Sequence, residues 1–215
     1  MGGRGRGARR PDNQAGDRHK GKDTSLPAGF SLDSAFLHED EAESCLLALS
    51  AETHWESHHF MIFGRSVPMP RRIAWFGEHT YGYSGVVHPA RPLPARIASL
   101  RDRVARACGH PFNCVLLNLY RDGKDSMGWH ADDDYDAGAH SGVASISLGA
   151  TRRFRLRSRD AARRSVGVDL GPGSLLFMEP GTQSAWQHAL PRTARAIGPR
   201  LNLTFRHLVA DNVRG

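Results

Sequence analysis

Arg200-Leu201-Asn202-Leu203-Thr204-Phe205-Arg206 alternates strictly between polar and apolar side chains. Successive side chains of a strand leave opposite faces, so Leu201, Leu203 and Phe205 share one face and Arg200, Asn202, Thr204 and Arg206 share the other. The apolar set is core material. The polar set has two readings. On solvent it needs no explanation; lining a cavity, two guanidiniums separated by an amide and a hydroxyl make a place for an anion, because Arg grips a carboxylate through a two-donor fork.

Residues outward from this strand have the same character. After Asn113 the chain is a series of short runs punctuated by Gly or Pro, predicting strands near 113–120, 127–132, 143–149, 152–158, 166–170, 174–178, 185–189 and 200–209. So many short strands with little helix between them predict a sandwich, jelly roll or barrel, mainly β with flanking helices. Earlier, residues 57–63 and 71–76 read as strands joined by a turn-rich loop, and Thr24 to Phe36 as a lead-in. Acidic residues at 39–41 open an amphipathic helix through Leu49. Ile97, Leu100, Val104 and Ala107 recur at helical spacing, predicting a second helix from Pro94 to Cys108, stopped by Gly109 and Pro111. Tyr81-Gly82-Tyr83-Ser84-Gly85 sets rings among glycines, a poor core and a plausible stacking surface.

Composition limits the partners. At 215 residues the chain suits one domain, expected over 24–215, and no apolar run is long enough for a membrane span. No secretory h-region follows the basic start, and three cysteines without C-x-x-C spacing suit reduced thiols, so a cytoplasmic chain is expected, nuclear in a eukaryote. Of the net charge of +7, the first 22 residues carry +5, from seven basic side chains against Asp12 and Asp17. Residues 1–23 therefore read as a disordered Gly/Arg-rich arm, either a solubilising tail or an attractor of phosphate. A monomer is expected.

Chemistry concentrates at Gly128-Trp129-His130-Ala131-Asp132-Asp133-Asp134. On an extended strand His130 and Asp132 leave one face and could share an ion; the competing reading is a solvated acidic turn after a histidine. The pattern His-x-Asp also occurs at His38-Glu39-Asp40, but on a helix positions i and i+2 point about 200° apart, so that copy is expected to be a decoy. A third ligand is expected at His188, on a strand-like run 56 residues after Asp132. His110 and His140 sit in loops and are weaker candidates. Two imidazoles and one carboxylate form the face that suits non-haem Fe(II). Asn118 and Tyr120 share one face of their strand, opposite Leu117 and Leu119, and add donors suited to orienting a small dicarboxylate.

Taken in order, Asn118-x-Tyr120, His130-x-Asp132, His188 and Arg200-x-Asn202-x-Thr204-x-Arg206 resemble the AlkB family of Fe(II)/2-oxoglutarate dioxygenases over residues 57–208. Ser145 to Arg152 matches as well, and the likeness is greatest to the branch holding the human DNA-repair members and their bacterial relatives. The resemblance implies a double-stranded β-helix, or jelly roll, with a recognition lid at about 57–90 and a core at about 113–209. It implies His130, Asp132 and His188 as iron ligands, with Arg200 and Tyr120 on the distal carboxylate of 2-oxoglutarate. Arg206 and Asn118 fall at its chelating end, with Asn202 in support. Tyr81, Tyr83, Ser84 and Asp134 fall at the base-binding surface, where Tyr83 would stack on a flipped base. Phe63 matches an apolar finger that fills the gap left by such a base; equally, it reads as a core Phe at a strand end. Arg65, Arg71, Arg72 and the cluster from Arg152 to Arg164 are candidates for phosphate contacts. The implied activity is oxidative demethylation of 1-methyladenine and 3-methylcytosine in DNA or RNA. Alternatives are a protein demethylase or hydroxylase of the same chemistry, or a non-catalytic nucleic-acid binder.

Overall fold

The alternating run at 200–206 lies inside a six-stranded sheet. The computed structural model describes residues 26–62, 64–83, 86–132 and 142–209, with only the backbone of Ile62, Tyr83 and Val86. The expected arm at 1–23, and Phe63, Ser84 and Asp134, lie outside these residues. In chain order the elements are β1 (Phe30–Asp33), α1 (Glu39–Glu52), β2 (His59–Ile62), β3 (Arg65–Pro68), β4 (Arg72–Gly77), β5 (Tyr81–Tyr83) and β6 (Val86–His88). There follow α2 (Ala95–Cys108), β7 (Cys114–Tyr120), β8 (Met127–His130), β9 (Val143–Gly149) and β10 (Arg152–Ser158). The last are β11 (Ser165–Leu170), β12 (Leu175–Met178), α3 (Thr182–Ala185), β13 (Trp186–Leu190) and β14 (Arg200–Arg206).

The large sheet has the order β1-β12-β9-β14-β7-β4 and the small one β11-β10-β13-β8. All their pairings are antiparallel, and strands distant in sequence lie side by side. This is the double-stranded β-helix. Two hairpins, β2-β3 and β5-β6, stand apart from both sheets and flank β4 in sequence, within the expected lid.

Alternation decides which face of the large sheet is which. Val115, Leu117 and Leu119 of β7, Ala144, Ile146 and Leu148 of β9, and Leu201, Leu203 and Phe205 of β14 pack with α1 and α2 in one core. Helix α2 contributes Ile97, Leu100 and Val104 and ends at Gly109, whose φ of +69° places it in the left-handed region. Glycine adopts that conformation without a Cβ penalty, so the helix stops there. Fully burying a Leu or Phe side chain contributes roughly 1.5–3 kcal/mol, so this layer fixes the register of β14 between its neighbours. The other face then has no choice but to carry Asn118, Tyr120, Ser145, Ser147 and the polar side chains of β14 inward, toward the small sheet.

The differences from expectation are local. Strand β1 occupies part of the supposed lead-in: four half-buried residues pair with β12 (Phe30 opposite Met178), too short a run to show a period. The strand expected to reach Asp132 ends at His130, and the last strand ends at Arg206. Among the described residues, no helix is long and apolar enough to cross a membrane.

Candidate metal centre and anion pocket

Strand pairing assembles the donors. His130, the last residue of β8, lies directly opposite His188 of β13, and their rings are 4.1 Å apart at 67°. Asp132 follows two residues later, its N–H donating to Gln183 Oε1 at 3.0 Å. Its carboxylate lies 4.0 Å from His130 Nε2 through one oxygen and 3.9 Å from His188 Nε2 through the other. One ligand atom from each residue lies within 4.8 Å of the others.

The protonation pattern suits a cation. His130 Nδ1 is 2.8 Å from the Gly128 carbonyl, which can only accept, so the proton sits there and the Nε2 lone pair faces Asp132. Burial, reinforced by His130 and Arg206, pushes His188 down to about 3, and burial likewise lowers His130. Both imidazoles are therefore neutral, the form that ligates. Burial alone would raise the Asp132 carboxyl, but the Arg206 guanidinium, the strongest opposing influence, holds it well below the usual carboxylate range. Arg206 Nη2 is 2.9 Å from Asp132 Oδ1.

Next to these donors lies a cation seeking an anion. Arg200 is 2% exposed, and burial lowers it to about 10, which still leaves it charged at neutral pH. Its Nη2 donates to Ser147 Oγ at 2.8 Å, its guanidinium lies 5.5 Å from the Tyr120 ring centre, and its buried Nε has no hydrogen-bond partner among the described residues. Leaving a charged donor buried and unmet is costly, so the position is built for a ligand carboxylate. Asn202 spans to β9, donating to Ser145 Oγ at 2.6 Å and to the Ile146 carbonyl at 3.0 Å, and it accepts from Thr204 at 3.0 Å. Asn118 Oδ1 accepts from Arg71 Nε at 2.8 Å. His130, Asp132 and His188 line one cavity together with Asn118, Tyr120, Arg200, Asn202 and Arg206.

Three expectations are corrected by packing. Tyr81 is fully buried and stacks on Trp75 with ring centres 4.1 Å apart at 18°, so it belongs to the base of the lid and not to a stacking surface. Arg71 is buried against Asn118 and is not available to phosphate. Arg152 is spent on backbone, donating to the carbonyls of Asp122, Asp125 and Pro191. Gln183, which holds the Asp132 backbone, was not anticipated; nothing in the run Thr-Gln-Ser-Ala distinguishes it. Ser145 and Ser147 could have been found, since they alternate with Ala144, Ile146 and Leu148.

Residues 29–206 match the family model of the 2OG-Fe(II) oxygenase superfamily. The chain belongs to the 2OG-Fe(II) oxygenase superfamily, in its AlkB branch. This oxygenase is 35% identical to the mouse alpha-ketoglutarate-dependent dioxygenase alkB homolog 3, over 94% of the chain and 75% of that protein. It is 40% identical to the mouse DNA oxidative demethylase ALKBH2, over 84% of the chain and 81% of that protein. The solved structure of OsALKBH1 superposes with a TM-score of 0.63 at 18% identity, covering 85% of this chain and 98% of that one, a likeness of fold. Oxygenases of this superfamily use Fe(II) and 2-oxoglutarate, and the cavity suits both: neutral imidazoles and an ionised carboxylate converge for the metal, and a buried guanidinium with an unmet donor awaits the dicarboxylate.

Proposed function

We propose that this oxygenase is a DNA oxidative demethylase that reverses N-alkyl lesions such as 1-methyladenine and 3-methylcytosine. The pairing, in one cavity, of the His130–Asp132–His188 donors with the buried, incompletely bonded Arg200 carries the oxidative chemistry, and the likeness to alkB homolog 3 and to the DNA oxidative demethylase ALKBH2 supports the substrate. A nucleic-acid binder has no use for a dicarboxylate anchor. When bound, Fe(II) and 2-oxoglutarate supply the oxidation of an N-methyl group by O2, releasing CO2, succinate and formaldehyde.

The chain's own residues then have separable tasks. His130, Asp132 and His188 hold the metal, and Gln183 fixes the backbone that aims Asp132. Arg200 binds the distal carboxylate, oriented by Ser147 and backed by the Tyr120 ring. Arg206 keeps Asp132 ionised at the chelating end, Asn118 lies beside it, and the Asn202 network holds β14 against β9. The alkylated base must leave its stack to arrive, at a cost of a few kcal/mol that is least for damaged or unpaired bases. Tyr83, Ser84, Phe63 and Asp134 are assigned to that base and its neighbours by resemblance, acting from a monomeric protein on DNA and, as a second substrate, RNA.

The test is direct: incubate iron-loaded protein with 2-oxoglutarate and a 3-methylcytosine oligonucleotide, as single-stranded DNA, duplex DNA and RNA, and measure base reversal. Reversal on DNA, lost in His130→Ala while oligonucleotide affinity persists, is the expected result. Absence of reversal on both DNA forms would overturn the reading.

A further inference from the structure

A second convergence of two histidines and a carboxylate lies at the root of the lid, apart from the cavity just described. Glu56 Oε2 is 3.1 Å from His58 Nε2 and 3.2 Å from His88 Nδ1, and the three ligand atoms lie within 4.8 Å of one another. In a tetrahedral zinc site with bonds of about 2.0–2.1 Å, neighbouring ligand atoms stand roughly 3.3 Å apart. The separations to Oε2 already match. The other carboxylate oxygen is held by Arg91 Nη2 at 3.1 Å, which fixes the carboxylate and leaves Oε2 to the imidazoles.

All three side chains stand on anchored backbone. Glu56 exchanges two hydrogen bonds with Ile73 of β4, at 2.8 and 3.0 Å, and the His58 carbonyl accepts from Met69 at 2.8 Å. His88 ends β6 opposite Tyr81, whose ring stacks on Trp75 of β4. His88 is 2% exposed, and its Nε2 has no hydrogen-bond partner among the described residues, so among these residues the cluster is the polar attachment of this buried ring. His58, by contrast, also lines a groove of about 610 Å³, through which an ion could enter and a water could fill a fourth position.

We propose that Glu56, His58 and His88 form a second metal site, one that takes Zn²⁺ and fastens the β5-β6 hairpin to β4. Two imidazoles, one carboxylate and an open position are a set that zinc accepts. A bound ion would tie His88 of the β5-β6 hairpin to the 56–58 segment that pairs with β4 at Ile73, adding to the Tyr81–Trp75 stack and stiffening the hairpin that carries Tyr83.

The experiment uses the full chain carrying His130→Ala and His188→Ala, so that the first site cannot hold metal. Titration with Zn²⁺ should give one equivalent, with a rise in melting temperature, and Co²⁺ should give a visible tetrahedral absorption that Zn²⁺ displaces. Adding His58→Gln, at a partly exposed side chain, should weaken zinc binding at least about 100-fold, the upper range even for losing a supporting contact, and abolish the thermal rise. Should the double variant not fold, the unmutated chain should bind two equivalents, of which His58→Gln removes one. No zinc in the double variant, or binding that His58→Gln leaves unchanged, would overturn the site and leave Glu56 as a hydrogen-bond hub. Neither result depends on whether the chain repairs DNA.

Discussion

The chain contains the pattern His-x-Asp twice in its described residues, and the two copies have opposite fates. His38 and Asp40 approach to 3.6 Å, closer than the 4.0 Å between His130 and Asp132. Proximity therefore does not distinguish them. The expected helical divergence does not hold either, because His38 is the N-cap of α1, with extended backbone at φ −63° and ψ 153°. What separates the copies is surroundings: the side chains of His38 and Asp40 are 80% and 92% exposed, whereas Asp132 is buried beside His188 and Arg206. Burial neutralises the imidazoles, a guanidinium keeps the carboxylate charged, and a facing strand supplies the third donor. A metal site is made by its surroundings more than by its spacing.

The strongest way to break this comparison is to remove the donor that only the buried copy has. His188→Ala should lower turnover by at least about 10³-fold, the scale of losing several kcal/mol of transition-state stabilisation, with iron content falling in parallel. Retained iron and turnover would show that the third ligand lies elsewhere. Arg200→Ala comes next: it should raise the KM for 2-oxoglutarate by roughly 100-fold, consistent with the loss of a buried charge-assisted pair worth about 3 kcal/mol, with iron affinity little changed. A fall in iron content equal to that of His188→Ala would instead make Arg200 structural. Gln183→Ala tests the positioning of Asp132 and should weaken iron binding by about 10-fold, as outer-shell losses do.

These predictions follow the line between what the sequence shows and what it hides. The β14 alternation, the helices and the ligand spacing were legible because each expresses a period of two or 3.6 residues or a local triplet. His188 is expected from its strand-like run, with His110 and His140 set lower in loops, and the strand pairing places it opposite His130. Tyr81 was misread because ring-and-glycine composition says nothing of which ring faces in; Trp75, six residues away, decides that by stacking. Arg71 and Arg152 look like any surface arginine until segments 27–47 residues distant bring Asn118 or a set of carbonyls to them. The Glu56–His58–His88 cluster was invisible for the same reason: its members are joined by two hairpins that have no period long enough to read.

Burial acts on a third kind of group close to the site, which gives a smaller effect. Cys114, on β7 with its Sγ 3.2 Å from the Arg206 carbonyl, has its thiol pushed up by burial to about 12. The native thiol therefore stays protonated while the unfolded one ionises above its ordinary value of 9.0. A group raised on folding contributes stability below the unfolded value and loses it as pH rises toward the folded one. Between pH 9 and 12 the chain should lose stability relative to Cys114→Ala, by about 1 kcal/mol per pH unit. Urea midpoints of both proteins at pH 8 and pH 10 measure the difference; parallel shifts would mean that the thiol ionises in the folded state.

The smallest expected effect sharpens the comparison most. His38→Ala removes half of the exposed copy, and its pairing with Asp40 is worth little because water and salt screen it and two mobile side chains must be held. No side-chain hydrogen bond caps α1 at His38, so the helix start loses no bond, and Glu39, Asp40 and Glu41 still complement its dipole. Stability should change by less than about 0.5 kcal/mol, and iron content and turnover should be unchanged. If instead His38→Ala lowered iron content, an exposed pair without a third donor would be binding metal, and surroundings would not be what makes the buried copy a site.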